Sequence, residues 1–217
     1  TGSGLTDENE ISGDIFTNLT NGPLDVVYTI VPYSSNDCEG TSFEITVTIN
    51  PEPVQSDLTD DACSDVAIGT VIPSTDDDGG NITSFDISAS VDGNLSGSAT
   101  EGNGITNYSA ISNDVFTNIT NASYDVVYTI TPYTTTAPSV VPCQGTDFTI
   151  TVTIDPEPVG VPTPSTQTLC SGNAINEIVL TTNPDLTGTT FAWTRDNTTN
   201  VTGLDNSGTT NISGTPV

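Results

Sequence analysis

The chain repeats itself at an offset of 100 residues, and that repeat limits what it can fold into more than any other feature. Ile11 to Tyr33, ISGDIFTNLTNGPLDVVYTIVPY, lies on Ile111 to Tyr133, ISNDVFTNITNASYDVVYTITPY, with 16 of 23 positions identical. The match resumes after a five-residue insertion, CEGTSFEITVTINPEPV from Cys38 against CQGTDFTITVTIDPEPV from Cys143. A period this long exceeds the 20 to 50 residues of solenoid repeats, so each unit is large enough to bury its own core. The repeat divides the chain into 1–54, the back part of one module; 55–159, a complete module; and 160–217, the front part of a third, divergent module opening at Cys170. Pro51, Pro53, Pro156 and Pro158, joined by Pro162 and Pro164, mark the boundaries, and closely spaced prolines predict short semi-rigid joints.

The final stretch of each copy alternates. Phe148, Ile150, Val152 and Ile154 fall on one face with Thr149, Thr151 and Thr153 on the other, and Phe43, Ile45, Val47 and Ile49 repeat this. Val126, Tyr128 and Ile130, and Phe85, Ile87, Ala89 and Val91, alternate in the same way. No stretch shows a comparable helical period. Short alternating strands separated by Gly, Asn, Asp and Pro turns predict an all-β chain of tandem antiparallel β-sandwich modules.

With 33% hydrophobic residues the cores must be thin. Twenty-eight acidic residues against the single basic Arg195 give a formal charge of -27. Such a surface repels nucleic acid phosphates and anionic lipid, so neither is an expected partner, and it favours an extended, soluble array. No apolar run approaches the ~20 residues needed to cross a bilayer, so no direct membrane insertion is expected.

Without His or Lys the chain offers no Ser-His or Cys-His pair and no phosphate-gripping lysine, and no enzymatic activity is expected. Carboxylates alone can serve a glycosidase, but the repeat shares no distinctive acidic pair: Glu44 becomes Thr149 in the second copy. The candidate ligand groups are acidic loops, Asp60, Asp61 and Asp65 around Cys63, and Asp76, Asp77 and Asp78 before Gly79. Adjacent loop carboxylates with backbone carbonyls can hold calcium, although the spacing is not that of an EF-hand and three consecutive aspartates also suit a solvated turn. No cofactor is required.

Cys63 and Cys143, the two cysteines of the complete module, read as one disulfide, with Cys38 and Cys170 finding partners outside the chain. Closing such a loop adds about 4 kcal/mol by chain entropy and implies an oxidising compartment. The competing pairing joins Cys38 to Cys63 across a module joint. Nine N-x-S/T sequons, Asn18, Asn118 and Asn211 among them, mark surface Asn and Thr more firmly than they mark glycosylation.

The opening CSD or CSG, DVVYTITPY, the C-x-G before TDFTITVTIDPEPV, and TTFAWT in the third unit resemble the PKD-like repeats of giant Bacteroidota surface proteins, SprB-type gliding adhesins among them. The resemblance spans essentially the whole chain. It implies Ig-like sandwich modules in a very long protein exported by the type IX secretion system, displayed on the outer cell surface and used for adhesion and gliding. The partners it implies are extracellular surfaces or polysaccharide and the secretion and gliding machinery. It carries over no catalytic residues.

Overall fold

The computed structural model describes residues 11–135, 142–203 and 205–213, and among them there are strands and turns but no helix. The strands are β1 (Leu24–Ile30), β2 (Phe43–Ile49), β3 (Leu58–Cys63), β4 (Ser84–Val91), β5 (Ser96–Gly97), β6 (Gly102–Ile105), β7 (Phe116–Thr117), β8 (Tyr124–Thr134), β9 (Cys143–Gln144), β10 (Phe148–Asp155), β11 (Gly160–Thr163), β12 (Val179–Thr182), β13 (Trp193–Thr194) and β14 (Ser207–Gly208).

The middle module is built on one large sheet in the order β3-β10-β8-β4-β6, with β9 extending the row alongside β8. β8 and β10 are rich in Val, Ile, Thr and Tyr, residues that suit a pleated surface, and they pair antiparallel with Tyr128 facing Ile150. Their alternation sends Val126, Tyr128, Ile130, Phe148, Ile150, Val152 and Ile154 to one face, all buried. Phe85 and Ile87 of β4 complete that face. The opposing layer supplies Ile68, Ile72, Ile82, Leu95, Ile111 and Phe116 from segments that are mostly loop, with only the short β5–β7 pair as sheet. Backbone bonds from Ile68 to Asp114, Gly69 to Ser112 and Ile72 to Tyr108 hold this layer together. Tyr108 seals its rim, donating to the Ile82 carbonyl at 2.7 Å and meeting Phe85 edge-on. All fifteen buried hydrophobic residues among those described lie between Ile68 and Ile154, so this module carries its core within itself.

One pairing departs from the antiparallel expectation. β3, the first strand of the module, runs parallel to β10, the last, with Leu58 beside Ile150 and Cys63 beside Asp155. Parallel first and last strands place the incoming and outgoing linkers at opposite ends of the sheet, which is the connectivity that strings modules end to end.

The β1–β2 pair of the first module reproduces the β8–β10 register, with Val26 facing Val47 as Val126 faces Val152. Its apolar face is open: Phe43 is 52% exposed where Phe148 is 2% exposed. Ile11 and Phe16, the counterparts of Ile111 and Phe116 in the covering layer, are themselves exposed here. The third module contributes the β11–β12 and β13–β14 pairs.

Candidate functional site at the module joints

The acidic run before Gly79 lies at the joint between the first and second modules and is bonded to the linker. Asp76 Oδ2 accepts from the Val54 amide at 3.3 Å, and its Oδ1 accepts from the amides of Gly80 at 2.6 Å and Asp78 at 3.2 Å. Asp77 Oδ2 accepts from the Ser56 amide at 2.7 Å and from the Ser56 hydroxyl, while Oδ1 takes the Gln55 side-chain amide at 2.9 Å. The Asp77 amide returns a bond to the Val54 carbonyl at 2.9 Å. Asn21, in the loop before β1, donates to the Asp78 carbonyl at 2.8 Å and so ties the first module to the same loop. Pro53 is buried against Gly145, where a Cβ would stand 2.0 Å from the proline carbonyl oxygen, too close for any side chain. Three consecutive aspartates thus fix a turn whose acceptors fasten an otherwise unpaired linker backbone.

The outgoing joint is fastened more lightly. The Asn183 amide donates to the Val159 carbonyl at 2.9 Å, the counterpart of the bond to Val54, and β11 pairs with β12. Among the described residues no paired carboxylates grip this linker, because Asn183 and Pro184 stand where the middle module has its acidic loop. Ser64, Asp65, Asn118, Ile119, Glu157, Val159, Asn183 and Pro184 border an open cleft of about 300 Å³ there.

The other predicted ligand group is dispersed. Asp60 accepts from Thr70 Oγ1 at 2.7 Å and from the Asp61 amide at 3.0 Å; Asp61 sits on β3 beside Thr153; and Asp65 accepts from Thr117 and Ser64. Among the described residues, no three acidic, Cys or His side chains converge as a metal centre.

The two pairings expected within the chain, Cys63 with Cys143 and Cys63 with Cys38, do not fit the fold; none of the four cysteines is bonded to another, Cys143 being partly buried and the others exposed. Cys143 faces Thr134 at one end of β8, whereas Cys63 faces Asp155, one residue beyond the Ile154–Tyr124 pair at the other end. The length of β8 separates them, on the order of 30 Å at about 3.3 Å per residue. A disulfide requires Cα atoms within about 7 Å. Cys38 fares no better, since it lies past the Ile30–Phe43 end of its sheet, away from the joint, and Cys63 lies at the outgoing end of the next module. A cysteine before the last strand and one at the end of the first strand necessarily sit at opposite ends once those two strands run parallel.

The sequons Asn18 and Asn118 are structural. Asn118 is 2% exposed, and its Nδ2 donates to the carbonyls of Ala122 and Ile154, both at 2.8 Å. Its Oδ1 accepts from the Thr120 amide and hydroxyl. Asn18 repeats each bond with Gly22, Ile49 and Thr20. The N-x-T pattern here pins the loop before the long strand to the end of the last one.

A further pair was missed in the sequence. Tyr128 donates to Asp114 Oδ2 at 2.6 Å inside the core, and Tyr28 donates to Asp14 at the same distance. The available signal was an Asp fourteen residues before a Tyr in both copies. Burial, then the Asp114 bond and charge, push the Tyr128 hydroxyl far above its ordinary range. Arg195 gives its guanidinium to the Asp205 and Val201 carbonyls.

No curated protein matches the chain. The PKD-like domain profile matches it over residues 1–53, 60–158 and 167–216, nearly its whole length in three successive segments. That family has a non-catalytic Ig-like fold, in keeping with the sandwich of the middle module and with an extracellular repeat or stalk module. The chain belongs to the PKD-like domain family.

Proposed function

We propose that the chain is a non-catalytic segment of a very large secreted cell-surface adhesin, acting as an extended filament in surface adhesion and gliding motility. The observation that carries this reading is the parallel pairing of β3 with β10, which sends the chain out of a module at the end opposite its arrival. The fastened linkers and the -27 charge both favour an extended array over a collapsed one. In this reading the modules are exported by the type IX route to the bacterial outer surface and meet extracellular surfaces or polysaccharide. The second reading, carbohydrate-binding or stalk modules of another secreted protein, has less support on its binding side. Trp193, the one Trp for sugar stacking, packs its indole on Gly208 and donates to the Thr210 carbonyl.

Antibodies against the chain test the proposal on intact cells of the producing bacterium. Labelling without permeabilisation, with slowed movement over glass, is the expected result. Labelling only after permeabilisation overturns the surface reading, and surface labelling with unchanged movement and attachment leaves a stalk.

A further inference from the structure

The two cysteines of the middle module are too far apart to bond with each other, yet each sits beside a different joint. Cys143 lies two residues before Gly145, which packs on Pro53 of the incoming linker. Cys63 lies beside Asp155, three residues before Pro158 of the outgoing linker, and its neighbour Ser64 borders the cleft shared with Val159 and Asn183. Pro53 and Pro158 are the same position of the repeat, the second proline of Pro-Glu-Pro-Val. Superposing the two joints through the repeat puts the front cysteine of the module before on one side of this proline and the late cysteine of the module after on the other, although each joint of the chain carries just one of the two.

We propose that the modules are cross-linked across their joints: Cys63 bonds to the late cysteine of the following module, and Cys143 to the front cysteine of the preceding one. Both partners belong to modules that the 217 residues do not complete, so neither bond can close within this chain. The bond forms by exchange with a small disulfide such as oxidised glutathione. Two protein thiols lose their protons and are oxidised to one disulfide, while the oxidant is reduced to two thiols. The result is a covalent tie beside every linker, so that a pull along the filament loads the disulfide and not only the hydrogen bonds of the joint. This inference rests on the proposed extracellular placement for its oxidising surroundings.

The test uses residues 55–159, which hold a complete core, joined twice in tandem so that Val159 of the first copy leads into Gln55 of the second as Val54 does in the native chain. One variant keeps only the two cysteines at the shared joint, with Cys143→Ser in the first copy and Cys63→Ser in the second. A second variant keeps only the outer two cysteines, and a third keeps both cysteines of one copy. After exposure to oxidised glutathione, intact mass and non-reducing peptide mapping are expected to show the first variant as a monomer with one disulfide between its two cysteines and no attached glutathione, while the other two variants carry free or glutathionylated cysteines and no disulfide within the chain. Free or glutathionylated cysteines in the first variant, or a disulfide within the third, overturn the proposal. Neither outcome depends on adhesion, so failure here is distinguishable from failure of the surface reading.

Discussion

The Tyr128 hydroxyl and the Asp114 carboxylate meet at 2.6 Å inside the sandwich, and Asp114 also accepts from the amide and hydroxyl of Thr100, each at 2.7 Å. One carboxylate thereby ties the central strand of the sheet to the loop layer opposite. Removing it leaves three donors without a partner in a buried setting. Asp114→Ala is expected to destabilise the middle module by about 2–4 kcal/mol, and Tyr128→Phe by about 1–2 kcal/mol. Urea unfolding followed by Tyr fluorescence measures both, and equal, negligible losses would show that the pair contributes nothing net.

The same bond sets a response to alkali. Tyr128 in the folded state holds its proton well above the ordinary value of 10.0, first through burial and then through Asp114. Above pH 10 the unfolded chain releases that proton while the folded chain keeps it, so the unfolded state binds fewer protons and stability falls as pH rises. Below pH 10 this contribution is fully present. Melting temperatures from pH 8 to 11.5 should be flat and then decline. Tyr128→Phe should remove part of the decline, leaving that from Tyr133 and Tyr28, whose hydroxyls are raised chiefly by bonds to Asp86 and Asp14.

Asn118 satisfies two carbonyls and two donors from a buried position, so its sequon has no side-chain amide to offer a glycosyltransferase once the module is folded. Asn118→Asp keeps the shape but replaces both donors with acceptors facing carbonyls, and a loss of about 2–4 kcal/mol is expected. Peptide mapping of protein from the native cell should find residue 118 unmodified; a glycan there would show that the loop is open when modification occurs.

The sheet was legible in the sequence because alternation over seven or eight residues reports burial directly: Phe148 to Ile154 face the core in the order their spacing implies. The opposing layer was not, since Ile68, Ile72 and Ile82 are spaced by loop geometry and carry no period. Parallel pairing of β3 leaves no mark either, because an edge strand of Leu-Thr-Asp-Asp-Ala-Cys alternates alike in either direction. That missing direction is what made a Cys63–Cys143 bond look economical. The acidic loop was found by its composition, but its partners, Val54, Gln55 and Ser56, lie more than twenty residues away and become visible only in three dimensions.

Calcium separates two roles for Asp76, Asp77 and Asp78. The carboxylates of the first two already accept from the linker, and no third acidic side chain converges on them among the described residues. Millimolar calcium against excess chelator should therefore move the melting point of the chain by less than about 1 °C, within the scatter expected without specific binding. A rise of several degrees, lost in Asp77→Asn, would instead make this loop a calcium-stiffened joint.

The joint itself is the last place where structure predicts behaviour distinct from stability. Asp77→Ala removes the acceptor of the Ser56 amide and hydroxyl and of the Gln55 side chain, all exposed bonds outside the core. Unfolding of the middle module should change by no more than about 0.5 kcal/mol, the usual scale for surface positions. The linker, however, loses its ties at Gln55 and Ser56, keeping only those at Pro53 and Val54. Thermolysin, which cuts before apolar residues, should then cleave at Val54 or Leu58 several-fold faster than in the parent, while cleavage near Val159, where no carboxylate was lost, keeps its parental rate. Equal acceleration at both joints would mean that the substitution loosened the module, and no acceleration at either would mean that Pro53, seated on Gly145, is enough to hold the joint.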